Sequence, residues 1–207
     1  AAGGTTVILT ARRRRRSGAT CCGAVKPTRI ETFDDRRFVW HNGEPRAARG
    51  GRWSFEEDGR ALSVVPEARR DYWSRTFYRP LLIKHDAQTL LAEVRRNEEI
   101  AVTTAFTLAP TNQFDQCGIM VLVDENCWVK AGVEFTDGVP RLSCVVTNDG
   151  WSDWSTQVWP LDKEDEGKKR TSVRIRVSKF LSGPGQGPSI VMEASPYQVG
   201  DRADSPG

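Results

Sequence analysis

The chain has 207 residues, of which 38% are hydrophobic and 28% charged, with a formal net charge of +3. That length suits one domain, alone or with tails, able to bury about 70% of its unfolded surface. No run approaches the roughly 20 apolar residues that a bilayer-spanning helix needs. The charge is unevenly placed: residues 1–30 hold seven cations (Arg12 to Arg16, Lys26, Arg29) and no acid, so the remainder has 23 cations against 27 acids, or −4. A basic segment ahead of a mildly acidic domain removes any inference of a nucleic-acid-binding fold from charge alone.

Residues 1–30 read as a disordered basic leader. Arg-rich, hydroxyl-rich and acid-poor, the segment fits three descriptions: an organellar transit peptide (mitochondrion or plastid), an extension with no fold of its own, or a phosphate-binding arm. Its apolar run Val7-Ile8-Leu9 is too short for a secretory core. The five cysteines (Cys21, Cys22, Cys117, Cys127, Cys144) show no CxxC spacing, and only His41 and His85 are available to join them. No metal site and no cofactor is therefore expected. The last three cysteines fall in β-like runs, where a thiol packs as a small hydrophobe. With no Asn-x-Ser/Thr sequon, these features point to an intracellular, cytoplasmic protein unless the leader directs it to an organelle.

From Glu31 the apolar period is two. Trp53 to Phe55, a turn ending at Gly59 and Ala61 to Val65 predict a hairpin. Glu99 to Leu108 is β-branched and long enough for a central strand. Gln116–Val123, Trp128–Phe135 and Pro140–Thr147, joined at Asp124-Glu-Asn126 and Thr136-Asp-Gly138, predict a three-strand meander. Val173–Ser178 alternates cleanly and finds a partner in Ser189–Ala194. Asp162 to Arg170 is a charged loop. Many short strands separated by Gly, Asp and Asn turns predict an all-β, antiparallel sandwich or jelly roll over residues 31–207.

The run from Asp115 to Thr147, followed by Ser152-Asp-Trp-Ser155, resembles the uncharacterised concanavalin A-like β-sandwich family that includes the fungal "regulation of enolase" protein. Asn42-Gly-Glu-Pro45 and Asp71 to Tyr78 are similar to its N-terminal blocks, so the resemblance covers about Glu31 to Ala194. It implies a concanavalin A-like jelly roll. It also implies two closing strands beyond Ser195 that this chain lacks, hence open sheet edges and a tendency to oligomerise. Folds of this class carry ligands on the concave outer face.

On the strand from Trp128 to Thr136, period two sends Val129, Ala131, Val133 and Phe135 to one face and Trp128, Lys130 and Glu134 to the other. Arg141 and Ser143 on the next strand join the second set if the turn fixes the register. Trp151, Asp153 and Trp154, read as a loop, extend the platform. Aromatic rings beside charged hydrogen-bonding groups suit a sugar, so the expected function is non-catalytic binding of a carbohydrate or sugar metabolite by Trp128, Lys130, Glu134, Arg141, Trp151, Asp153 and Trp154. The structural alternative packs Trp128 under a loop and pairs Lys130 with Glu134. A second functional reading is a regulatory or scaffolding protein of sugar metabolism that works through protein contacts. A third is a glycoside hydrolase using Glu134, weakened because Glu134 has no second acid on its own face of the strand. Nucleic acid and membrane are not expected as partners.

Overall fold

The computed structural model describes residues 30–44, 53–95, 97–160, 170–181 and 187–197. Residues 1–29 of the basic leader, with Cys21 and Cys22, and residues 162–169 of the charged loop lie outside the described residues. Within the described residues the protein is all-β, without helices, and its strands pair antiparallel. In chain order these are β1 (Val39–His41), β2 (Trp53–Glu56), β3 (Ala61–Val64), β4 (Tyr72–Trp73), β5 (Lys84–His85), β6 (Thr89–Leu91), β7 (Ile100–Leu108), β8 (Gln116–Asp124), β9 (Cys127–Thr136), β10 (Val139–Asn148), β11 (Trp151–Val158), β12 (Thr171–Phe180) and β13 (Ser189–Pro196).

Two larger sheets carry the architecture. One is ordered β11-β10-β9-β8 and the other β13-β12-β7. Their facing surfaces merge in one apolar cluster. Ile119, Val121 and Val133 come from the first sheet, Val173, Ile175 and Val177 from the second, and all are 3% exposed or less. At roughly 25 cal/mol per Å² of apolar area removed from water, this layer is the principal source of stability. The expected inward set of β9 is where period two put it.

Short-range turn chemistry sets the register. Asp137 and Gly138 both have positive φ (54° and 82°), as a two-residue primed hairpin turn demands, and Gly takes the second position without strain. That turn places Glu134 directly opposite Arg141 and Gly132 opposite Ser143. Asp149-Gly150 repeats the signature, with φ of 50° and 77°, and starts β11.

Two expectations are corrected here. Trp151, Asp153 and Trp154 form no loop: they lie on β11, paired along its length with β10. The Asp149-Gly150 signal that makes this hairpin was in plain view. The Glu99–Leu108 run is a strand, but not a central one. Among the described residues β7 pairs only with β12 and ends its sheet.

Candidate functional site

The outer face of the four-stranded sheet is built from every second residue of each strand. Gln116, Gly118, Met120 and Leu122 on β8 lie opposite Glu134, Gly132, Lys130 and Trp128 on β9. Ser143, Val145 and Thr147 on β10 continue the rows, and β11 ends them with Thr156, Trp154 and Ser152. This surface is not open along its length. The β4–β5 hairpin lies over one half, burying Trp128 beneath Tyr72 in an edge-to-face contact (5.9 Å, 70°), with Met120, Val145 and Ala87 around them. Trp73 meets Trp154 edge-on at 5.7 Å. Asn42 holds this cover in place, its side-chain nitrogen standing 2.9–3.1 Å from Tyr72 Oη and the carbonyls of His85 and Ala87.

The other half is polar. Lys130 and Glu134 are buried, at 7% and 6% exposure, although both are charged residue types. Lys130 Nζ donates to Asp71 Oδ1 (2.8 Å) and Gln116 Oε1 (2.9 Å), while Gln116 Nε2 donates to the same Asp71 oxygen (3.1 Å). This closed triangle meets the requirement that a buried ammonium be paired and hydrogen-bonded. Asp71 is aimed by its backbone: its carbonyl accepts from the amides of Asp86 and Ala87, and its amide donates to Asp86 Oδ1. A second chain of bonds runs across the strands. Trp154 Nε1 donates to Ser143 Oγ (2.8 Å), and Ser143 donates to Glu134 Oε2 (3.0 Å). Burial pushes the Glu134 carboxyl above its ordinary value, and the Asp71 carboxylate pushes the same way. The Lys130 ammonium and the Ser143 hydrogen bond pull it back.

Between these groups the carpet of side chains is interrupted. Gly118 and Gly132 lie opposite one another, and a Cβ on either would fall 2.2 or 2.0 Å from a carbonyl oxygen of the facing strand. Only glycine fits this pair. The result is a half-open depression floored by the two glycines and walled by Gln116, Lys130, Glu134 and Ser143, with a volume of about 10 Å³. That is room for one water-sized group.

The structure thus brings together Lys130, Glu134 and, through Ser143, Trp154, while Arg141 pairs with Glu134 in the strand register. It does not bring the remainder. Trp128 is buried in the apolar half rather than offered to a ligand, the packing alternative, and its indole nitrogen has no acceptor among the described residues. Trp151 and Asp153 fall on the opposite face of β11 and are exposed there. Lys130 makes its ion pair with Asp71, not Glu134. Sequence reasoning missed Asp71, Gln116 and the glycine pair. Strand alternation places Gln116 and Gly118 once the hairpin register is drawn, whereas Asp71 comes from a distant segment that no local pattern ties to β9. Among the described residues no three His, Cys, Asp or Glu side chains are grouped to hold a metal ion. The thiol of Cys117, beside the depression, is pushed up to about 12 by burial, which leaves it protonated and inert.

An all-β, antiparallel protein with a buried polar network on its outer sheet face is what fold and site define. The chain belongs to the DUF1349 family of proteins of unknown function, whose profile matches residues 49–181. It is 36% identical over 117 residues to "Regulation of enolase protein 1" of Saccharomyces cerevisiae, covering 54% of this chain and 53% of that protein. It is 30% identical over 98 residues to "Uncharacterized protein AN7484" of Emericella nidulans, covering 45% and 46%. The chain spans about half the length of these curated relatives. A crystal structure of a functionally unknown protein from Saccharomyces cerevisiae aligns with 26% identity and a TM-score of 0.45, over 78% of this chain and 80% of that one. No helix among the described residues is long and apolar enough to cross a membrane.

Proposed function

We propose that this chain is a non-catalytic binding module for a carbohydrate or sugar-derived metabolite, on the outer face of a concanavalin A-like jelly-roll sandwich. One observation carries the reading: four hydrogen-bonding side chains line a glycine-floored gap that no side chain among the described residues fills. A sugar hydroxyl both donates and accepts, so it suits a gap that offers an ammonium, a carboxyl, an amide and a hydroxyl together. The gap takes one such group, and the sugar ring then lies over its rim beside Arg141. Binding rather than hydrolysis is favoured because the second carboxyl, Asp71, is committed. Its Oδ1 accepts from Lys130, Gln116 and its neighbour's amide, Tyr72 N at 2.7 Å.

Titration with a panel of neutral, amino and phosphorylated sugars, followed by NMR shift changes, tests this. Shifts should centre on Gln116, Lys130, Glu134 and Ser143, and Arg141→Ala should weaken binding about tenfold while Trp151→Ala leaves it unchanged. A panel with no ligand, or equal effects of the two variants, would sink the proposal. Glycoside cleavage abolished by Glu134→Gln would replace it with the hydrolase reading.

A regulatory role in sugar metabolism through protein contacts is the second reading, favoured by the name of the yeast relative, "Regulation of enolase protein 1". Enolase assayed with and without the purified chain tests its simplest form; unchanged activity and no complex on a sizing column count against it.

A further inference from the structure

The β4–β5 hairpin that covers the site ends in a loop whose apolar residues face water. Phe77 is 83% exposed, Tyr78 54%, Leu81 52%, Leu82 51% and Ile83 44%. The first two rings stack on one another at 4.4 Å (28°). Five large apolar residues exposed within seven positions mark a candidate interaction site. Neighbouring residues in a turning segment point in different directions. Five that are all exposed therefore ask for apolar surroundings on more than one side, which a flat protein partner does not supply and the boundary of a lipid layer does. Charge agrees. From Arg75 to Lys84 there are three cations and no acid. Arg75 and Arg79 are exposed and form the collar, whereas Lys84 is engaged by Asp86 and the Arg69 carbonyl. An aromatic and aliphatic tip within a basic collar is the arrangement that seats a soluble domain at an anionic bilayer surface, rings at headgroup depth and cations against the phosphates. At that depth the loop backbone stays hydrated, so no regular structure is needed.

We infer that the Phe77–Ile83 loop docks the protein on anionic phospholipid membranes. This departs from the expectation of no membrane partner, which weighed only spanning segments. It is independent of the sugar reading, since none of Phe77 to Ile83 lines the depression. The test is co-sedimentation of the full chain with phosphatidylcholine vesicles that contain or lack phosphatidylserine. Partition onto phosphatidylserine vesicles should be at least about tenfold higher and should fall with added salt. Replacing Phe77 and Leu82 together with Ser should reduce it about tenfold, and so should Arg79→Glu, with melting temperatures unchanged. Absence of phosphatidylserine-dependent binding overturns the inference. So does binding that survives both loop variants, which would belong to Arg12–Arg16. So does loop-dependent association with a soluble protein in the absence of vesicle binding.

Discussion

The two faces of β9 are buried to a similar degree by different agents. Inward, Val133 meets the apolar residues of β12 in a layer that needs only size and hydrophobicity to form. Outward, Lys130 and Glu134 are also buried, and each finds a polar partner: Asp71, at the start of the covering hairpin, for Lys130, and Ser143 of β10 for Glu134. An apolar layer tolerates approximate fit and is lost a methylene at a time. A buried polar network depends on every member, because a deleted partner strands a charged or polar group out of water. Substitutions on the two faces should therefore differ in kind as well as in size.

The sharpest break comes at the glycine pair. Gly132→Ala places a methyl group 2.0 Å from the Cys117 carbonyl oxygen, which is backbone and cannot swing aside. We expect a loss of roughly 4 kcal/mol or failure to fold, read by urea denaturation. Wild-type stability in that variant would mean that the strands are further apart than described. On the apolar face, Ile175→Ala should cost about 3 kcal/mol, with the polar network intact by NMR. On the polar face, Asp71→Asn leaves the Lys130 ammonium without its counter-charge. Because Asp71 remains partly exposed (23%), we expect about 2 kcal/mol, below the range for fully buried pairs. An effect below the Ile175→Ala value but accompanied by lost Lys130 and Gln116 order would confirm the difference in kind. No change at all would show the triangle to be incidental.

The smallest effect is a pH dependence. Glu134 begins from an ordinary value of 4.5 and is raised in the fold, chiefly by burial. The folded state therefore holds this proton to higher pH than the unfolded chain does. Its contribution is fully present below about 4.5 and is lost as pH rises through the folded value. Glu134→Gln keeps the shape and removes the titration. The variant should gain on the wild type as pH is taken from about 4 to about 7, a trend visible in paired thermal melts. A constant difference would show that Lys130 and Ser143 fully offset the burial.

Much of the fold was legible because its signals are local. The Asp137-Gly138 turn declared its own hairpin, and with it the alignment of Glu134 with Arg141. Alternation correctly divided β9 into an inward and an outward set. The β11 strand was misread although Asp149-Gly150 carries the same turn signature, since Trp, Ser and Asp in Trp151–Ser155 lack the β-branched alternation that identifies a strand by eye. The geometry of the candidate residues was half legible: Lys130 and Glu134 line the depression, Arg141 pairs with Glu134 across the strands, Trp151 and Asp153 lie on the opposite face, and Trp128 serves as packing.

What the sequence determined by itself is the set of strands, their turns and the side of each strand on which a residue lies, because φ/ψ preferences and period two act over a few residues. What only the tertiary structure decided is which side meets water. The cover over Trp128 and the carboxylate beside Lys130 come from Asp71 to Ala87, separated from β9 by some tens of residues and joined to it by packing alone. Burial is a property of what the chain lays over a surface, and that is a non-local fact.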